Sequence, residues 1–337
     1  MIGAVLGYGL IGRERVEALL ALRTDGCPIQ RILLFDPALA EQAADLPAGV
    51  ELVRGIEQIE SAKPDWIMVA TPHDTAAEIL TRILPWGSRV LVEKPLGRSL
   101  EEARTIVART RFTGQLWVGF NYRFFPGVRE AIGDTRTGRF GRLINVSMVL
   151  GHGGAPGMEH GWKFDPFRAG GGCLIDPGVH LLDLCKILAR GPLEIAGATR
   201  WDGFWKTGIE EEVHLLLKAG RLVFNIEVSI VRWRSVFRLE IHGEDGYAIV
   251  TGRGRSYGPQ RYVRGKRWAW QNGKTQAETE ELVSESDATG TFRDELRALL
   301  EGQTGPLSPC PAYEALEVME LFERCRAALG LTSPGKC

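Results

Sequence analysis

The fold is decided by the stretch Ile2-Gly3-Ala4-Val5-Leu6-Gly7-Tyr8-Gly9-Leu10-Ile11-Gly12, a short apolar run that breaks into three spaced glycines. Gly-x-Gly-x-x-Gly after a strand is typical of dinucleotide-binding proteins. Gly7 allows a tight turn, Gly9 leaves room for a pyrophosphate, and Gly12 lets the next helix pack closely on the strand. The N–H groups and positive dipole end of that helix then face the phosphates. We therefore predict cofactor contacts along the loop, from Gly7, Gly9, Leu10, Ile11 and Gly12.

The sequence on either side of the loop supports this interpretation over a glycine turn without a ligand. Residues 13–23 have the pattern of an amphipathic helix, and residues 31–36 that of a second strand ending in Asp36. A carboxylate about 20 residues beyond the motif meets the adenosine ribose hydroxyls. The Asp36 carboxylate would repel a 2′-phosphate, and Pro37 follows where an arginine would help. NAD is therefore predicted rather than NADP.

Length and composition restrict the class of protein. A chain of 337 residues suits two domains, and 44% hydrophobic residues with a net charge of −1 are ordinary for a globular protein. This balance argues against a nucleic acid or an anionic membrane as partner. No apolar run approaches a membrane span and no basic segment precedes Ile2, so a cytoplasmic protein is expected. The scattered cysteines predict reduced thiols and no metal site: Cys27, Cys173, Cys185, Cys310, Cys325 and Cys337.

After Asp36, apolar runs alternate with helical patterns up to about residue 120. Near-continuous apolar strands separated by helices predict a parallel sheet covered on both faces. Residues 1–120 are therefore predicted to form a doubly wound α/β dinucleotide-binding domain, the Rossmann arrangement. The predicted strands are 50–53, 65–70, 89–92 and 116–120, and the predicted helices are 39–45, 74–84 and 99–110.

Ligands of such sheets lie beyond the carboxyl ends of the strands, so the residues that follow each strand carry the chemistry. Thr71 and Pro72 predict an extended corner beside the cofactor. Asp74 is predicted to be the N-cap of the next helix. His73 between them can contact the cofactor, although we interpret it as an exposed loop histidine.

Glu93-Lys94-Pro95 follows the next strand. A charged pair at the end of a buried strand requires a partner or a function. One interpretation is a mutual salt bridge. The other places the Lys94 ammonium group at the nicotinamide and the substrate, with Glu93 holding nearby groups.

Beyond residue 120 the hydrophobic pattern changes to a period of two, which predicts antiparallel strands with one covered face. Hairpin turns are expected at Ala219-Gly220 and Asp245-Gly246. Residues 121–337 are predicted to form an α+β domain for substrate binding and oligomerisation, with a large open, mostly antiparallel sheet. Its closing helices, 292–300 and 313–329, can pack back on the first domain. The predicted strands are 143–150, 212–218, 221–229 and 236–242, and the stretch 252–275 is a long loop or weak hairpin.

The most informative stretch of the second half is 170–183, which starts with three glycines and contains Asp176, His180 and Asp183. Pro177 suits the first position of a helix and Asp176 its N-cap, which would place His180 one turn later. A histidine beside a carboxylate suits proton abstraction from an alcohol when hydride leaves the same carbon. The alternative is that Asp176 only caps the helix and that His180 is a satisfied interior residue.

Together, the glycine loop, Glu93-Lys94-Pro95 and the stretch from Gly170 to Asp183 resemble the glucose–fructose oxidoreductase/inositol dehydrogenase (Gfo/Idh/MocA) family over essentially the whole chain. The resemblance implies that Lys94 polarises the reacting oxygen, His180 moves the proton and Asp176 orients or charges the site. Ala76 stands where the family often has a histidine, which weakens a role of that helix in substrate binding.

The predicted activity is NAD(P)-dependent interconversion of a secondary alcohol and a ketone on a sugar, cyclitol or nucleotide-linked sugar. Two alternatives stay open: a sugar–sugar oxidoreductase that never releases its cofactor, and a non-catalytic sensor of NAD and sugar. A homodimer or homotetramer is expected, because family members commonly pair their open sheets. Candidates for the substrate pocket are Tyr122, Arg123, Trp162, Lys163, Asp176 and His180, of which Arg123 and Lys163 would meet a nucleotide-sugar diphosphate. The aromatic and basic candidates could equally form a solvated rim.

Overall fold

A computed structural model describes residues 1–40, 46–268, 279–284, 288–305 and 307–332, and of residues 40, 279–284 and 288–289 it describes the backbone only. The chain divides into two compact units. One unit comprises Met1–Asn121 and Thr289–Met319, and the other comprises Tyr122–Ala288 and Glu320–Cys337. Residues 289–319 therefore return to the first unit, although they follow the second in sequence.

The elements are numbered here in chain order. The strands are β1 Ile2–Leu6, β2 Arg31–Phe35, β3 Val50–Leu52, β4 Trp66–Val69, β5 Arg89–Glu93, β6 Leu116–Gly119, β7 Leu143–Gly151, β8 Glu194–Trp201, β9 Glu212–Ala219, β10 Leu222–Ser229, β11 Val236–Gly243, β12 Gly246–Thr251, β13 Gln260–Lys266, β14 Thr279–Ser284 and β15 Cys310–Pro311. The helices are α1 Leu10–Thr24, α2 Pro37–Ala40, α3 Ile56–Ala62, α4 His73–Ile83, α5 Leu100–Val107, α6 Pro126–Arg136, α7 Pro166–Ala169, α8 Val179–Ala189, α9 Ala288–Leu300 and α10 Ala312–Ala328.

The first unit contains the predicted parallel sheet. Its strand order is β3-β2-β1-β4-β5-β6, which is that of a doubly wound dinucleotide fold, and β15 adds an antiparallel edge beside β6. The apolar strand residues are buried on both faces, as in Ile67 and Val90, which are fully inaccessible to solvent. Because the six parallel strands end at one edge, the residues that follow β1, β4 and β5 meet there. The predicted helix 39–45 corresponds to α2, and residues 41–45 lie outside the described part of the chain.

The second unit contains an eight-stranded sheet in the order β14-β13-β12-β11-β7-β10-β9-β8. Neighbouring strands are antiparallel except for the parallel pair β7 and β10, so the predicted mostly antiparallel sheet is confirmed. The predicted hairpins join β9 to β10 and β11 to β12. Within 252–275, residues 260–266 form β13, while 269–275 lie outside the described residues. No helix in the described ranges is both long and apolar enough to cross a membrane.

Candidate functional site

The glycine loop has the three properties that the sequence predicts. Gly7 has a φ of +93°, and a Cβ atom there would lie 2.7 Å from the Ala70 carbonyl oxygen. A Cβ on Gly12 would lie 2.0 Å from the Gly7 carbonyl oxygen, so α1 can pack this closely only without a side chain. Gly9, the N-cap of α1, faces open space, because no described atom lies within 4 Å of a Cβ built on it. The helix N-terminus is therefore open to a phosphate group.

The Asp36 carboxylate lies beside this loop. It accepts hydrogen bonds from the Tyr8 N–H at 2.7 Å and from the Ala38 N–H at 2.8 Å, which hold it at the end of β2. Thr71, which follows β4, has a buried hydroxyl with no hydrogen-bond partner among the described residues. Its methyl group lies 3.1 Å from a Cβ built on Gly7. An open helix N-terminus, an acid at the second strand and an orphaned hydroxyl fit a dinucleotide at this edge.

Two predictions about the stretch after β4 are wrong. His73 is not an exposed loop histidine, because it is the first residue of α4 and is only 7% exposed. Asp74 is not the N-cap. That position is Pro72, so Asp74 lies inside the first turn. A carboxylate there still favours the helix dipole.

Glu93 is bound by Arg15 rather than by its neighbour Lys94, so the mutual salt bridge is not formed. The Arg15 guanidinium lies 2.6 Å from Glu93 and 2.7 Å from Glu295, and its side chain is 1% exposed. Burial lowers the pKa of Arg15, but the two carboxylates outweigh it and the net shift is upward. Lys94 is half-buried and follows β5 at the same sheet edge as the glycine loop.

In the second unit, the three glycines shape the loop that carries Asp176. Gly170 ends α7 with a φ of +90°, and a Cβ on Gly172 would lie 2.0 Å from the Glu210 carbonyl oxygen. The Glu210 carboxylate accepts hydrogen bonds from the N–H groups of Gly172 at 2.9 Å and Leu174 at 3.1 Å. Burial raises the pKa of Glu210. Nothing in the sequence pattern had indicated Glu210, because it lies 38 residues from Gly172.

Asp176 does not cap the helix, and Pro177 is not its first residue. α8 begins at Val179 with Gly178 as N-cap, because residues 173–178 form a turn in which the Gly178 N–H bonds to the Cys173 carbonyl oxygen. The Asp176 carboxylate instead lies 2.7 Å from the Lys163 ammonium nitrogen.

His180 is the second residue of α8 and is 4% exposed. Its ring stacks on Tyr122, with centroids 3.9 Å apart and planes 13° apart. Burial raises the pKa of Tyr122, so its phenol stays neutral and can donate a hydrogen bond. Of the other predicted pocket residues, Trp162 is half-buried and its ring lies 5.7 Å from the Lys163 nitrogen.

Arg123, a predicted contact for a nucleotide-sugar diphosphate, is buried in an ion pair. Its side chain is 2% exposed and donates two hydrogen bonds to Asp183, at 2.8 and 2.5 Å. Because both side chains are buried and paired, the structure does not favour a diphosphate contact for this guanidinium group.

His152 and Arg253, which the sequence analysis did not indicate, lie near the group formed by Tyr122, Asp176 and Lys163. The Arg253 guanidinium carbon lies 3.7 Å from the Tyr257 ring centroid and 5.4 Å from that of Tyr122. The His152 Nδ1 accepts a hydrogen bond from the Gly154 N–H at 3.1 Å. Burial lowers the pKa of His152; the Asp176 carboxylate opposes this and the two cations Lys163 and Arg253 add to it. The sequence feature that could have indicated Arg253 is the pair of glycines that flank it, Gly252 and Gly254.

Two family profiles match this chain. Residues 3–120 match the family described as "Oxidoreductase family, NAD-binding Rossmann fold", and residues 128–249 match the GFO/IDH/MocA C-terminal domain. The chain belongs to the Gfo/Idh/MocA family. It is therefore an oxidoreductase with NAD as its cofactor, as the sequence predicts, and the glycine loop and Asp36 fit that cofactor.

Relatives and solved structures agree with the assignment. Inositol 2-dehydrogenase of Rhizobium meliloti strain 1021 is 31% identical over 255 residues, which are 71% of this chain and 73% of that protein. The rhizopine catabolism protein MocA of Rhizobium meliloti is 29% identical over 187 residues, which are 55% of this chain and 56% of that protein. The matched region therefore spans little more than half the length of that relative. A levoglucosan dehydrogenase solved with NADH and levoglucosan has a TM-score of 0.83 at 17% identity, covering 98% of this chain and 97% of that one. At this identity the likeness shows the fold.

Proposed function

We propose that the protein interconverts a secondary alcohol and a ketone on a sugar, a cyclitol or a nucleotide-linked sugar. The observation that carries the proposal is the group formed by His180, stacked on Tyr122, together with the Asp176–Lys163 pair. An imidazole, a carboxylate and an ammonium group in one unit supply the proton acceptor and the hydrogen-bonding groups that such a reaction requires. Relatives named for inositol and for levoglucosan support a polyhydroxylated substrate.

Each residue has one role in the proposal. NAD, when bound, supplies the hydride acceptor and donor. His180 takes the hydroxyl proton during oxidation and returns it during reduction, and the stack on Tyr122 fixes the plane of its ring. Asp176 orients the substrate, with Lys163 holding its carboxylate. Lys94 stabilises negative charge on the reacting oxygen.

The test is turnover with NAD and a panel of sugars and cyclitols, followed by the absorbance of the reduced nicotinamide. Turnover is expected with at least one member of the panel. Lys94→Ala should lower it by about 10² while NAD affinity is kept, and Lys266→Ala, at an exposed lysine, should not change it. Cofactor binding without turnover on any sugar would contradict the proposal and favour a sensor. Conversion of one sugar that requires a second sugar as oxidant would indicate a cofactor that is not released.

A further inference from the structure

Arg253 is a half-buried cation that forms no ion pair with any described residue. Its Nε atom is buried and has no hydrogen-bond acceptor among the described residues. Within the described ranges, no carboxylate lies at ion-pair distance from its guanidinium group. The side chain instead lies against the rings of Tyr257 and Tyr122. Burial lowers the pKa of Arg253, but the Tyr122 and Tyr257 oxygens and the Asp176 carboxylate outweigh it, and the net shift is upward. The guanidinium group is therefore charged, and its unpaired Nε donor can bind an anion.

The backbone around Arg253 presents the side chain in a fixed position. Gly252 and Gly254 flank it with φ angles of +73° and +83°. A Cβ on Gly252 would lie 2.1 Å from the Pro259 carbonyl oxygen, so the two chain segments touch. The Gly254 N–H bonds to the Gly258 carbonyl oxygen at 2.7 Å and closes the loop. Such constraint reduces the entropy lost when a ligand binds.

Three described charges act on His152: the cations Lys163 and Arg253 and the carboxylate of Asp176. Asp176 is the carboxylate that faces both Arg253 and Lys163, and it is already 2.7 Å from the Lys163 nitrogen. His152 faces the same charges, and its lowered pKa keeps it neutral near pH 7. One carboxylate is therefore shared between two cations.

We propose that Arg253 binds an oxyanion carried by the sugar substrate, so that the physiological substrate is an acidic sugar rather than a neutral one. This inference rests on the proposed function. A carboxylate or a phosphate oxygen suits the planar guanidinium fork, which donates two parallel hydrogen bonds. The stack on Tyr257 holds the fork in one plane. The oxyanion adds a second negative charge beside Asp176, which already pairs with Lys163.

The experiment compares glucose with three anionic derivatives, of which UDP-glucose also adds a uridine. Binding of glucuronate, glucose 1-phosphate, UDP-glucose and glucose is measured by calorimetry on the NADH-loaded full chain, and turnover is measured in parallel. At least one anionic ligand should bind tenfold or more tightly than glucose, on the scale of a charged hydrogen bond. The three anionic arms distinguish a carboxylate, a monophosphate and a diphosphate as its source.

Variants assign the preference to Arg253. Arg253→Gln should remove the preference for the anionic ligand, and Arg253→Lys should retain part of it, because the charge remains without the fork. Arg255→Gln, at an exposed arginine two residues away, carries the same charge change and should leave the preference intact. A circular-dichroism melt of each variant checks folding.

Equal binding of glucose and all three anionic ligands by the wild-type chain would overturn the inference without any variant. Retention of the preference in a folded Arg253→Gln protein would also overturn it. If neutral sugars turn over and acidic ones do not, the inference fails and the proposed function stands. If acidic sugars bind through Arg253 but none of the sugars turns over, the proposed function fails, and Arg253 is then an anion-binding residue whose ligand is not a substrate.

Discussion

The ion pair of Arg123 and Asp183 belongs to the interior, and its energetics follow from its burial. Removing one partner leaves the other charge buried without compensation, which costs about 3–5 kcal/mol. Arg123→Met should therefore lower the free energy of unfolding by about that amount, measured by denaturant titration. The double variant Arg123→Met/Asp183→Leu should recover much of it, because apolar replacement of both partners removes both charges.

The matched control is Arg31→Met, which breaks an exposed pair with Glu51 and should change stability little. If the Arg123→Met protein is as stable as the wild type but has lost its affinity for a sugar, Arg123 is a substrate contact and not a stabilising residue.

We expect Asp36 to determine the choice between the two nicotinamide cofactors. Its carboxylate lies at the end of β2, held by the Tyr8 and Ala38 N–H groups, where a 2′-phosphate would be repelled. The wild-type kcat/KM should be higher with NAD than with NADP, and Asp36→Ala should raise the ratio of NADP to NAD efficiency. Equal efficiency with both cofactors in the wild type, or a variant that leaves the ratio unchanged, would contradict this.

At the scale of elements, Arg15 joins α1 to the end of β5 and to α9. Its guanidinium binds Glu93 and Glu295 and lies 4.6 Å from the Phe292 ring centroid. Arg15→Met would leave the buried Glu295 carboxylate unpaired beside the half-buried carboxylate of Glu93, so a loss of about 3–5 kcal/mol in unfolding free energy is expected. NAD affinity should fall as well, because the N-terminus of α1 carries the glycine loop.

Arg82→Met is the control for this prediction, since it breaks an exposed pair with Glu57. A melting temperature of Arg15→Met equal to that of the control would show that the three elements do not depend on Arg15.

The sequence predicted elements with a strong hydrophobic period and missed those set by contacts far along the chain. The strands of the parallel sheet and the alternation in β10 follow from local patterns, and both are present. The predicted start of α8 is wrong, because the turn of residues 173–178 depends on a contact with Glu210 that local capping rules do not include. The enclosure of Arg123 depends on Asp183, which lies 60 residues away in sequence. The position of Arg253 depends on the turn between β12 and β13.

For the whole molecule, we expect a homodimer or homotetramer formed through the open face of the second sheet. This face carries apolar side chains among polar ones: Leu216 is 38% exposed on β9, beside Asn225 on β10. Light scattering at micromolar concentration should give a multiple of 37.2 kDa. Leu216→Glu should shift the mass towards the monomer, whereas Glu301→Lys, at an exposed position of the first unit, should not. A wild-type mass near 37.2 kDa would contradict this.

The pH dependence of NAD-coupled sugar oxidation tests most directly whether His180 is the base. In water a histidine side chain titrates at about pH 6.5, whereas lysine and aspartate titrate at about 10.4 and 3.9, so a histidine base gives a limb near neutrality. The rate should rise with pH through that limb, and His180→Ala should lose most of the rate together with the limb. His160→Ala, at an exposed histidine, should keep both. A folded His180→Ala enzyme with the same limb would contradict the proposed role of His180 as the base and make it a structural residue.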